Sequence, residues 1–472
     1  MDAFPSFGER NFGSLDLGDK RRTRRLVNTV DFMCRHPGGT LPDKLSQPKN
    51  LRAFYRLVDQ DEVTHPVVIA SHANQTQRRI AAVGAATAEP VTVLILHDAT
   101  ELDYTTLKAL QEHLGQIGQG TRRGYICHNS LAVRADTGET LGLTSQILHH
   151  RAVVPKGETT KQSRERGNRE SRLWVHGVKA SGKAPAGVRC VDVCDSLADT
   201  FEFLSYEVSH ERFFVVRARE NRKLAETVAG ENYLFDGVRK LPSMGTRSLE
   251  VKATSGRKGR TTTVHVSFSK VLIAPPGEKL GEYANEPLAM WAVRVWEPNP
   301  PADEEPLEWI LLTNCAVDNF ADACDRIEWY KKRWIVEEFH KGMKTGCGIE
   351  TMQFDTIERL EPAIAVISVV ATTLLSLRDA ARAPDAETRP ATEVVAPTYV
   401  KVLSAYYGKR LGKNPSVKAF YMHVARLGGH QNRKCDGFPG WITLWRGWMK
   451  LQSMVDGYEA ADQRTKPTCG KN

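Results

Sequence analysis

Along the first 75 residues the apolar positions recur at helical spacing. In residues 15–33, Leu26, Val27, Val30, Phe32 and Met33 share one side, with Arg21, Arg22, Arg24 and Arg25 at the head of the segment. Residues 48–60 repeat the pattern with Leu51, Phe54, Tyr55 and Leu57, so a small helical module is predicted. The texture then changes. Residues 91–98 (VTVLILHD) form a short continuous apolar run ending in an acid, the pattern of a buried central strand. Residues 124–134 and 139–150 read as two more strands joined at a DTG turn, and residues 188–195 (VRCVDVCD) as a second buried strand ending in an acid. The polar stretch 157–178 is helix-like, residues 196–208 form an amphipathic helix, and residues 211–219 another strand.

From about 220 to 314 the pattern is β-rich, with runs such as TTTVHVSFSKVLIA and LAMWAVRVWE between Gly- and Pro-rich loops; helices return after 316. Three strands, a helix, a strand, a helix and a strand, then a β insertion and a further helix, describe a mixed α/β architecture. It is an RNase H-like core, a mixed sheet flanked by helices, interrupted by a β-rich insertion and carrying helical N- and C-terminal domains. The expected division is 1–75, 76–218, 219–314, 315–385 and 386–472, with a linker at 382–398. The longest uncharged apolar run, Pro362 to Leu377, is 16 residues and carries four hydroxyl side chains. A spanning helix needs ~20, so a buried core helix is expected, with no membrane partner. The N-terminal residues show no basic segment leading into an apolar one, and a cytoplasmic protein is expected.

Charge adds a partner. The 65 Lys and Arg outnumber the 56 Asp and Glu by 9. Residues 401–450 hold ten Lys or Arg against Asp436 alone, and residues 19–56 hold ten against three acids. Two basic ends around a nearly neutral middle fit a polyanion held from two sides better than two solvated faces. Nine scattered cysteines without CxxC spacing indicate neither a disulfide framework nor a zinc ribbon, and Cys190 and Cys194 read as small core residues.

Asp98 and Asp195 each end a predicted central strand, where either alone would most simply cap the next element. A third segment changes the balance. Tyr330, Arg333, Glu337 and Lys344 stand at relative positions 0, 3, 7 and 14. At about 100° per residue they fall within a stripe roughly 60° wide, opposite Ile335, Val336, Phe339 and Met343. One carboxylate between two cations and a phenol suits phosphate chemistry. Three carboxylates together can hold two divalent ions, and hard oxygen ligands favour Mg²⁺, with Mn²⁺ as substitute; no nucleotide cofactor is implied. Glu338 and His340 lie off the stripe and are left unassigned, and His128 reads as a satisfied histidine.

The spacing Y-x2-R-x3-E-x6-K, with EEFHK around Glu337, resembles the bacterial insertion-sequence transposases of the DDE class, in the insertion-sequence-four-type branch. The likeness extends to LGDKRRTRRLVN (17–28), VCDSLAD (193–199), LEWILLT (307–313) and the segment from ARLGG through Trp441, Trp445 and Trp448, and so spans nearly the whole chain. His97, before the first Asp, and the loop lengths of the insertion depart from it. The resemblance implies a cut-and-paste transposase that pairs two transposon ends as a homodimer, cuts through a hairpin and joins 3′ ends to target DNA. It makes Asp98, Asp195 and Glu337 the catalytic, metal-binding set, with Tyr330, Arg333 and Lys344 on phosphates. Trp309 would stack on a flipped base, Arg22 and Arg25 would touch the transposon end and Arg217 a phosphate. The stripe of Trp441, Trp445 and Trp448 would lie in the dimer contact. A nuclease without strand transfer and a DNA-binding regulator are the alternatives.

Overall fold

The computed structural model describes residues 5–151, 157–159, 162, 166–251, 259–277, 286–302, 304, 306–433 and 438–465. Five helices come first: α1 (Phe7–Phe12), α2 (Lys20–Arg35), α3 (Leu41–Lys44), α4 (Pro48–Val58) and α5 (His65–Ala85). Asp19 opens α2 by accepting from the Arg21 N–H at 2.8 Å, and Leu26, Val30, Met33 and Phe54 are buried where α2 meets α4. Helix α5 runs across residue 75 and packs on the sheet.

Among the described residues, twelve strands make one sheet. Its first part contains β1 (Val91–Asp103), β2 (Gly115–Gln116), β3 (Arg123–Arg134), β4 (Thr140–His149), β5 (Val188–Cys194) and β6 (Phe213–Arg217). Helices α6 (Leu173–Ser181) and α7 (Phe201–Ser209) flank them. β4, β3 and β1 pair antiparallel, while β5 lies parallel to both β1 and β6. That order, two antiparallel hairpin partners beside three parallel strands, is consistent with an RNase H-like core. The second part contains β7 (Lys223–Val228), β8 (Glu231–Tyr233), α8 (Leu234–Lys240), β9 (Gly245–Val251), β10 (Arg260–Ile273), β11 (Leu288–Trp296) and β12 (Glu308–Thr313). β12 pairs antiparallel with β6, so the inserted strands extend the core sheet.

The C-terminal half is helical: α9 (Phe320–Lys331), α10 (Trp334–Lys341), α11 (Ile357–Arg382), α12 (Pro397–Tyr407), α13 (Val417–Leu427) and α14 (Trp441–Thr465). The apolar run 362–377 lies within α11, where Ala363, Ile364, Val366, Ile367, Val370 and Ala371 are fully buried. This helix touches α2, α4, α5, α10, α13 and α14, which is why it is apolar around most of its circumference.

Four expectations change. Residues 382–398 are not a free linker: Ala386 and Ala391 are buried, and the Ala391 N–H donates to the Pro415 carbonyl at 3.0 Å. Of the polar stretch 157–178, the described part forms a 3₁₀ turn at Glu170–Arg172 that leads into α6 at Leu173; residues 160, 161 and 163–165 lie outside the described residues. Trp441, Trp445 and Trp448 are buried in their own chain, with Trp441 stacked on Trp445 at 5.9 Å and Trp448 on Tyr399 at 5.0 Å. Rings already covered by their own chain have little surface left to offer a partner subunit. His128 is expected to be satisfied, but it is fully buried and neither ring nitrogen has a hydrogen-bond partner among the described residues. Its ring stacks on His97 and meets Trp174 edge-on, and the side chain is admitted only because Gly177 opposite has no Cβ, which would stand 2.4 Å from His128 Nε2.

Candidate active site

β1 does not end at Asp98 as expected but continues to Asp103, because β3 stays paired with it through Gly124. Its parallel neighbour stops sooner. The β1–β5 pairing ends at His97 opposite Cys194, so Asp98 and Asp195 stand side by side where β5 turns away. Asp195 then caps a single tight turn, accepting from the Leu197 N–H at 2.9 Å, while Thr200 caps α7. Strand alternation sends His97 to the opposite face from Asp98. There its Nε2 lies 2.8 Å from Asp192 Oδ1, and Arg212 donates to Asp192 Oδ2 at 3.0 and 2.9 Å.

The segment 329–344 is not one uniform helix. Between α9 and α10 the N–H groups of Arg333, Ile335 and Val336 each bond to the carbonyl three residues back. This tight winding changes the phase assumed from an even 100° turn. Beyond α10 the Cys347 N–H reaches back to the Gly342 carbonyl at 2.8 Å, a π turn that unwinds the chain again. The apolar side survives: Val336, Phe339 and Met343 are fully buried.

Arg333 sits at the junction and donates to Asp98 Oδ2 at 2.9 Å and Glu337 Oε1 at 3.0 Å. Tyr330 is buried on α9 and meets Trp309 of β12 edge-on at 5.5 Å. Lys344, in the π turn, pairs with Glu350 at 3.4 Å. Asp98, Thr100, Glu337, His340, Lys341 and Lys344 line a cleft of about 410 Å³. Cavities of about 590 and 690 Å³ lie elsewhere, around α11, but none of these carboxylates lines them. A duplex needs an open face rather than a deep pocket. The exposed ring of Trp334, with Arg333 at 5.7 Å from its centroid, lies beside the cluster and carried no assignment from the sequence pattern.

Burial pushes the Asp98 carboxyl up to about 7; Arg333 pulls it down, and Asp195 and Glu337 push it further up. Burial likewise raises Asp195, against the hydrogen bond from the Leu197 N–H. Burial works against the Arg333 charge, and Asp98, Tyr330, Glu337 and Asp195 together more than restore it. The donor chemistry, three crowded carboxylates whose negative charge is disfavoured by burial and by one another, suits a hard divalent cation. With Arg333 between Asp98 and Glu337, no group of three His, Cys, Asp or Glu side chains among the described residues is gathered closely enough to hold a metal as it stands.

The remaining expected DNA contacts are scattered. Arg217 ends β6, exposed, with a long contact of 3.4 Å to the Glu308 carbonyl. Arg22 is engaged within its own module: it donates to Gln60 Oε1 at 2.7 Å and to the Leu17 carbonyl at 3.0 Å, and pairs with Glu62 at 2.7 Å. Arg25, one turn on, has no partner among the described residues.

Residues 5–63 match the family model of transposase DNA-binding domains. The matched span covers α1 to α4 with Arg22 and Arg25. The match supports a DNA-binding transposase, with DNA as its partner.

Proposed function

We propose that this chain is a cut-and-paste DNA transposase of the insertion-sequence-four-type DDE branch, acting at the bacterial nucleoid as a homodimer on two paired transposon ends. The observation that carries the reading is the pairing of Arg333 with Asp98 and Glu337 at the point where β1 and β5 part and Asp195 follows β5, in a chain whose first module matches transposase DNA-binding domains.

Asp98, Asp195 and Glu337 are the residues that would hold Mg²⁺ or Mn²⁺. Two such ions, when bound, would supply an activated water or 3′-hydroxyl and stabilise the leaving oxygen. The chain's own groups do the rest. Arg333 carries a fixed positive charge against Asp98 and Glu337, so it orders the carboxylates before DNA arrives and presents cationic N–H groups where a scissile phosphate enters. Lys344 and Lys341 add charge along the cleft for neighbouring phosphates. Trp309, braced edge-on by Tyr330, is the surface for a base displaced in the hairpin step. Helices α1 to α4 grip the end sequence, and the C-terminal helices form the partner contact.

The test supplies the protein and Mg²⁺ with a plasmid carrying the inverted repeats that flank the gene, plus a second plasmid as target. Excised fragment, hairpin ends and joined product are expected. Cutting without joining would replace the reading by a structure-selective nuclease, and binding without cutting by a DNA-binding regulator.

A further inference from the structure

His340 was unassigned by helical phase, yet the fold sets it in the catalytic cleft with one nitrogen committed and the other open. Its partner is Asn129, which stands opposite Asp98 in the β1–β3 register. Asn129 Nδ2 lies 3.1 Å from His340 Nε2 and 3.3 Å from the Cys127 carbonyl. A carbonyl can only accept, so that atom is the amide nitrogen and the orientation of Asn129 is fixed. Gln146 Nε2 donates to Asn129 Oδ1 at 2.7 Å, which fixes Gln146 in turn. Its Oε1 lies 3.1 Å from His65 Nε2, which must therefore carry a proton.

Followed outward, the chain of donors runs from His65 through Gln146 and Asn129 to His340 Nε2, which can only accept. The His340 proton is then on Nδ1. Burial, with the charges of Lys344 and Arg333, lowers the ring to about 3, so it stays neutral. Nδ1 has no hydrogen-bond partner among the described residues and is not among the buried orphaned atoms, and the residue lines the cleft with Asp98 and Glu337. A neutral donor prepared this far and left open points to a ligand that accepts.

We infer that His340 is a further catalytic residue, whose Nδ1–H donates to an oxygen of the DNA phosphate in the cleft, and that Asn129, Gln146 and His65 are positioning residues that hold its tautomer. The inference rests on the transposase reading and deepens it: the phosphate would be held by one neutral donor beside the fixed charges of Arg333 and Lys344. A neutral donor adds a bond without adding a cation next to carboxylates that must themselves hold cations.

The experiment is single-turnover cleavage, in Mg²⁺, of a duplex carrying the gene-flanking repeat, alongside DNA binding and thermal unfolding. His340→Phe should slow cleavage roughly 10- to 100-fold, the scale of one hydrogen bond to a charged group, with end binding unchanged. His340→Asn, whose amide nitrogen can stand near the place of Nδ1, should recover most of the rate. Asn129→Leu should slow cleavage while ¹⁵N shifts of the His340 ring move from an Nδ1–H form to a tautomeric mixture. Wild-type cleavage with an indifferent His340→Phe variant, or an Asn variant as slow as Phe at equal stability, overturns the inference alone. An inert wild-type protein overturns the transposase reading and the inference together.

Discussion

Arg333 donates to Asp98 across 235 positions of sequence, tying the junction between α9 and α10 to the strand edge where β1 loses its parallel neighbour. The same guanidinium holds Glu337 four residues on. The arrangement makes Glu337 a charge rather than a shape in this cluster. Glu337→Gln should therefore abolish both nicking and joining in Mg²⁺ while end binding persists, as read by gel mobility and strand-transfer product. Cleavage surviving in this variant would remove Glu337 from the site.

Arg333→Ala leaves three crowded carboxylates without their fixed cation. With its side chain only 12% exposed, breaking the pair should cost about 3–5 kcal/mol in the absence of metal. Because a divalent ion can replace the missing charge, Ca²⁺ should raise the melting temperature of this variant more than that of the wild type. Differential scanning calorimetry with and without Ca²⁺ reads both effects. A variant as stable as wild type in EDTA would show that Arg333 does not hold the carboxylates together.

Much of this frame is legible from local pattern. The strands at 124–134, 139–150, 188–195 and 211–219 are short apolar runs closed by turn residues, and the structure places β3, β4, β5 and β6 there to within a few positions. What local pattern misses is set by distant partners. The tight winding around Arg333 goes with its contact to Asp98, and no window of 16 residues contains that strand. His340 falls off an evenly wound stripe, but its partner Asn129 lies 211 positions earlier, opposite Asp98. Pairing the predicted strands 91–98 and 124–134 in register would have brought Asn129 to the site. The tryptophans at 441, 445 and 448 show a second limit: helical spacing identifies an apolar face but not whether a partner chain or the same chain covers it, and their own chain buries all three.

His72 should give the fold an acid limit. It is fully buried on α5, with Nδ1 2.8 Å from Asn11 Oδ1 and Nε2 accepting from the Leu143 N–H at 3.1 Å, so it locks the first helix to the sheet. Burial, and then the charge of Arg79, lowers it to about 3. An unfolded histidine titrates near 6.5, so the unfolded chain binds the extra proton between these values. Stability from this group is complete above about 6.5 and falls as pH drops towards 3, by up to about 4–5 kcal/mol. His72→Gln should lower stability at pH 8 but flatten its loss between pH 6.5 and 4, as read from urea midpoints. An unchanged pH slope would assign the acid limit to other buried groups.

Trp309→Ala should nick ends nearly normally and accumulate nicked DNA short of the hairpin. Without base stacking of ~1–3 kcal/mol, that one step slows by about tenfold to a hundredfold. Because the ring also meets Tyr330, the variant should melt somewhat lower, whereas Trp309→Phe should keep part of both functions. Equal slowing of the first nick, measured on the same gel, would make Trp309 a packing residue only.

The two arginines of α2 should fail in different ways. Arg25 has no partner among the described residues, so Arg25→Glu should leave the melting temperature unchanged and weaken single-end binding. It should also flatten the log–log salt dependence by about 0.9 for each DNA phosphate that the protein no longer neutralises. Arg22→Glu removes the donors to Gln60 and Leu17 and sets a carboxylate against Glu62, so it should destabilise the module itself, by about 1–3 kcal/mol for charged hydrogen bonds. Weak binding by that variant alone would then say nothing about DNA contact. The charge-swapped pair Arg22→Glu with Glu62→Arg separates the two roles. If it restores both melting temperature and end affinity, Arg22 serves the fold and Arg25 the DNA. If the fold recovers and affinity does not, the Arg22 guanidinium must leave Glu62 to reach the end, and DNA binding is then expected to compete with that ion pair.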